Sequence, residues 1–85
     1  MDEKKKRLKK AAQDALAVQD ACNLSGVVNA FSRAMTTIRE NTNGTEEANH
    51  HPIAVLFADK IMDMVGRPEL FESCKAYDAC KELAE

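Results

Sequence analysis

Residues 8–38, LKKAAQDALAVQDACNLSGVVNAFSRAMTTI, carry two apolar stripes that do not share a phase. Leu8, Ala11, Ala15, Val18 and Cys22 recur at spacings of three and four, which lines one face of a helix running from Lys4 to about Cys22. The next positions in that phase are Ser25 and Asn29, whereas a second stripe opens at Leu24, Val28, Phe31, Met35 and Ile38. The apolar face has rotated. A break within Asn23-Leu24-Ser25-Gly26, with Asn23 or Ser25 capping a new helix, is preferred over one long helix that spreads polar residues across a wide buried face. Both readings are helical, and no strand pattern competes with them.

Outward from this stretch, the second helix ends near Asn41. Residues 41–51, NTNGTEEANHH, have the composition of a connecting loop, with Asn43-Gly44 its sharpest turn signal. Asn43-Gly44-Thr45 matches a glycosylation sequon by letter only and is read as a turn. Pro52 suits the first position of a third helix, because its missing N–H has no partner there and its φ is already helical. That helix is expected over Pro52 to Val65, with Ile53, Leu56, Phe57, Ile61 and Met64 inward and Gly66 past its end. Arg67-Pro68 forces an extended step. A fourth helix then starts at Pro68, with Glu69 and Glu72 in its first turn and Leu70, Cys74, Tyr77, Cys80 and Leu83 on one face. The expected fold is all-α, one domain over residues 1–85, a bundle of three to four helices.

An 85-residue chain buries only roughly 60 to 65% of the surface its unfolded form exposes. With three Phe, one Tyr and no Trp, much of the 45% apolar content is Ala, so the core is thin and association with a second copy is favoured. No run approaches the ~18 apolar residues of a membrane span. Cys22, Cys74 and Cys80 are an odd number in no C-x-x-C spacing. They read as reduced core thiols of a cytoplasmic protein.

The net charge of −2 is unevenly placed: residues 1–10 hold six basic and two acidic side chains, and the rest hold six basic and twelve acidic, so +4 faces −6. Lys4, Lys5, Lys6, Arg7, Lys9 and Lys10 read first as a solvated helix face, or as a basic end lying against an acidic surface. They also supply candidate phosphate contacts for a nucleic-acid accessory role. No aromatic residue interleaves with them, which argues against stacking on single strands.

Candidate chemistry elsewhere is sparse. His50 and His51 are adjacent and cannot form the i, i+4 pair of a helical zinc site, so one of them is expected to serve as a helix cap. Assembly of a metal site with Glu46, Glu47 or Asp59 is the alternative. Asp59 and Asp63 lie one turn apart and could share a divalent ion, but Glu69 and Glu72, the nearest second pair, are where a helix dipole wants acid anyway. Metal-dependent hydrolysis is therefore the least favoured reading, and no cofactor is expected. Gln19, Asp20, Asn23, Ser25, Gly26 and Asn29 form a polar cluster of structural or interaction character. Asn23 and Ser25 are expected to be buried, with Gly26 at a close helix contact.

The segments QDACNLSGVVNAFSRAM, GT in the loop and NHHPIAVLFADKI resemble a family of small bacterial helical proteins, some carried on phages or mobile gene cassettes. The likeness spans Gln19 to Ile61; the lysine-rich start and the tail from Arg67 to Glu85 lie outside it. It implies a bacterial, soluble protein and assigns no activity or site residue. The expected function is thus a non-enzymatic, self-associating helical interaction module, with the apolar face of the second and third helices as its contact and a dimer as its form. A further protein partner is possible on this reading, and no membrane is involved.

Overall fold

The computed structural model describes residues 3–66 and 70–85 and, within the last helix, side chains from Cys74 onward. Four long helices, α1 (Glu3–Ala17), α2 (Leu24–Glu40), α4 (Pro52–Met64) and α5 (Leu70–Ala84), make the bundle, and a short α3 (Thr45–Asn49) sits between α2 and α4. The fold is all-α. Helices α1, α2, α4 and α5 pack as a ring, each against its two neighbours, with α1 also touching α4 across the diagonal. The 22 × 21 Å cross-section is two helix diameters square, and the 40 Å length exceeds that of any one helix.

The break between the first two stripes is present. A 3₁₀ turn over Val18–Asp20 ends α1, Ala21 turns extended at φ −74° and ψ 146°, and Asn23 opens α2 as its N-cap. Asn23 Oδ1 accepts from Gly26 N at 3.3 Å, which satisfies one of the donors left open at a helix start. Pro52 opens α4 as expected, and His51 caps it: Nδ1 accepts from Ile53 N at 3.2 Å. Gly66, at φ 84°, takes the left-handed position just past α4 and donates to Asp63 O at 3.1 Å.

The core is built on Phe57, Ile38, Ile53, Leu56, Val27 and Cys80, all fully buried. Ala supplies eight of the fifteen buried apolar residues described, which is why the helices approach closely and why the core stays small. Phe31 stacks on Phe57 with ring centroids 5.6 Å apart and locks α2 to α4. No polar or charged residue is buried among those described.

Several expectations are corrected. Residues 41–51 are not wholly loop, because α3 forms there and buries Ala48 against α2 and α4. On α2 the inward residue of the first turns is Val27, not Leu24 or Val28, since α1 has already ended and covers nothing there. Among the described side chains of α5 the inward ones are Ala76 and Cys80, while Cys74 and Tyr77 are exposed; the expected inward Leu70 and the first-turn Glu72 lie outside the described side chains. Cys22 is exposed in the extended segment, so only Cys80 is a core thiol. The expected start of the last helix at Pro68, with Glu69, lies outside the described residues.

Candidate functional site

Two surfaces stand out, at opposite parts of α2. The first follows from the antiparallel course of α2 and α4. With Phe31 stacked on Phe57, the first turns of α2 run beside the last turns of α4. Leu24 and Val28, one turn apart, are 39% and 40% exposed, and Val65 at the end of α4 is 53% exposed. Phe31, Ile61 and Met64 are partly buried and pack on the core beneath them. An apolar strip thus runs over this end of the bundle.

The polar cluster read from the sequence lies around the same end, and its burial is overturned. Asn23, Ser25, Gly26, Asn29 and Asp20 are exposed, and Gln19 is half-buried. Gly26 makes no close contact: a Cβ there would meet only the Asn23 side chain, at 3.7 Å or more. Asn23 is outside because it caps α2 at the break, and Ser25, Gly26 and Asn29 lie on the exposed side of the turns that follow. Gln19 Nε2 donates back to Ala15 O at 2.9 Å, and Lys60 Nζ reaches across from α4 to donate to Gln19 O at 2.9 Å. The second of these bonds ties the turn after α1 to α4.

The second surface is the basic one. Lys4, Lys5, Lys6, Arg7, Lys9 and Lys10 are all exposed on α1. Gln13 Nε2 donates to Ala84 O at 3.3 Å, so α5 ends beside the middle of α1 and leaves the lysine-rich turns projecting past it. Arg7 is anchored there by Glu40 of α2, through Nη2 at 2.8 Å and Nε at 3.1 Å, and by Glu3 at 3.5 Å. A cleft of about 180 Å³ between α1 and α2 opens beside this anchor.

The remaining candidates do not converge. Asp59 is half-buried and Asp63 exposed on α4, and no group of three or more His, Cys, Asp or Glu able to hold a metal ion occurs among the described residues. His51 is committed to its cap. Its pKa is held below the ordinary 6.5 by burial, against the opposing pull of the Glu47 carboxylate. The Cys80 thiol is pushed up to about 11 by burial, far from thiolate chemistry. A wider cleft of about 340 Å³ lies between Gln19, Leu56, Cys74, Tyr77 and Asp78. Its one amide is already spent on Ala15. Compared with protein-family models, curated proteins and solved structures, the chain matches none, so its own residues carry the functional argument.

Proposed function

We propose that this chain is a non-enzymatic helical interaction module that pairs with a second copy of itself through the α2/α4 end of the bundle. The observation that carries this reading is the exposure of Leu24 and Val28 above the half-buried Phe31, Ile61 and Met64. A second copy suits this surface better than a charged partner does. In a two-fold contact each residue meets the same patch on the other subunit, so a charged side chain near the axis would face its own sign. Residues 24–32 of α2, LSGVVNAFS, carry no charge at all. Ser25, Gly26 and Asn29 are small or uncharged and exposed, so a facing helix can approach closely along them. The polar cluster then forms the rim of the contact.

The resemblance of residues 19–61 to small bacterial helical proteins and the three unpaired thiols support a bacterial, cytoplasmic setting and, through that family, a mobile genetic element as carrier. Sedimentation velocity over a concentration series tests the pairing. The parent should sediment as a dimer at micromolar concentration, and Val28→Glu should sediment as a monomer with unchanged helical circular dichroism. A parent that remains monomeric at high micromolar concentration overturns the reading.

A further inference from the structure

The cleft between α1 and α2 is floored by Ala11 and Ala34, each 4% exposed, whose small side chains let the helices close beneath it while larger ones rise on both sides. Its rim carries Arg7 and Lys10 from α1 and Arg33 and Thr37 from α2. The cations differ in how they are engaged. Arg7 is held by Glu40 and Glu3, and Lys10 Nζ lies 3.6 Å from Asp14 Oδ1. Arg33 has no carboxylate partner among the described residues, yet it faces the same concavity as Lys10. Among the described residues of the cleft and the turns before it, Lys4, Lys5, Lys6, Arg7, Lys9, Lys10 and Arg33 stand against Glu3, Asp14 and Glu40, seven cations to three anions.

We propose that this cleft takes one backbone phosphate of a nucleic-acid duplex, with Arg33 and Lys10 as its cations and the Thr37 hydroxyl as a neutral donor. Lys4 and Lys6, which flank the cleft side of α1 at helical spacing, meet the adjoining phosphates. The inference is independent of self-association. Arginine presents a planar fork that matches phosphate oxygens, and the anchored Arg7 fixes the edge of the cleft without losing side-chain freedom on binding. Lys6 and Lys10 are one turn apart, about 6 Å of rise, so the row offers repeated contacts along a chain of phosphates rather than one enclosed anion site. With no aromatic residue among them, single-strand stacking is not available, and the contact is with a duplex backbone and blind to sequence.

Fluorescence anisotropy with a labelled mixed-sequence DNA duplex over a salt series tests this. At ~50 mM salt the parent binds, Arg33→Ala binds about tenfold more weakly with a salt slope shallower by about one, and Arg33→Lys restores the salt slope but only part of the affinity, because it returns the charge without the fork. Arg33 is exposed, so the variants keep the fold, which circular dichroism checks. Three results each overturn the proposal: no binding by the parent at ~50 mM salt; Arg33→Ala binding like the parent while Gln at Lys4, Lys5 and Lys6 abolishes binding; and polyglutamate displacing the bound protein as well as unlabelled DNA.

Discussion

Replacing His51 by Asn is expected to remove a pH dependence of stability that the parent possesses. The His51 ring accepts from Ile53 N through Nδ1, so the bond exists only while that nitrogen is unprotonated. It is the side-chain cap of a helix whose first residue, Pro52, has no N–H and whose second, Ile53, is fully buried. Losing a side-chain N-cap costs about 1 kcal/mol, which for a domain of this size lowers Tm by about 4 to 8 °C. Burial, the larger influence, depresses the folded-state pKa below 6.5, and Glu47 only partly opposes it. Between the folded pKa and 6.5 the unfolded chain therefore binds more protons than the folded one, and stability rises with pH. The contribution is complete above about 6.5 and is lost as pH falls through the folded value. Thermal melts of the parent, His51→Asn and His51→Ala at about pH 8 and about pH 5.5 separate the cases. Asn caps without titrating in this range, so the parent should lose several degrees more than His51→Asn on acidification, and His51→Ala should be low at both. His50 is common to all three proteins. Equal pH dependence in the parent and His51→Asn would refute the reasoning.

Gly26→Ala should raise stability by up to about 1 kcal/mol, because a Cβ there finds only ordinary contact with the Asn23 side chain and helix propensity favours Ala; a lower Tm would show that the cap needs the glycine. Cysteine labelling at neutral pH should modify the exposed Cys22 and Cys74 promptly and the buried Cys80, its pKa near 11, only on unfolding. Three prompt modifications without loss of helicity would contradict that core.

Local chemistry was legible in the sequence because it acts within a few residues. The cap at Asn23, the proline start at Pro52, a capping histidine and the left-handed glycine after α4 each follow from one or two side chains and the backbone beside them. The phase of a short stripe was not. Val28 and Val27 both fit a three-four spacing between Leu24 and Phe31, yet Val27 is the one that is buried, and that depends on where the preceding helix stops. Helix α3 holds a single apolar residue that becomes buried, Ala48, and one residue defines no period. Asn23 and Ser25 were read as buried because they interrupt apolar residues, whereas a break in the chain turns them outward. The Arg33 cleft could not be read from sequence either. It depends on the antiparallel approach that the Arg7–Glu40 pair, 33 positions apart, makes visible only in three dimensions.

The contact between α1 and α5 has a thermodynamic consequence. Three seams of the ring join helices adjacent among the four in chain order, but this one joins Gln13 to Ala84, 71 positions apart. Loop-closure entropy grows only logarithmically, about 0.6 kcal/mol per doubling, so closing the ring over that span costs only a little more than closing a hairpin. The return is cooperativity. Detaching either terminal helix uncovers Ala12 and Ala15 on one side or Ala76 and Cys80 on the other, and lays bare the Phe57, Ile53 and Leu56 side chains that α2 and α4 alone do not enclose. The four long helices are therefore expected to melt as a single unit, with calorimetric and van't Hoff enthalpies in agreement, rather than to peel from the ends.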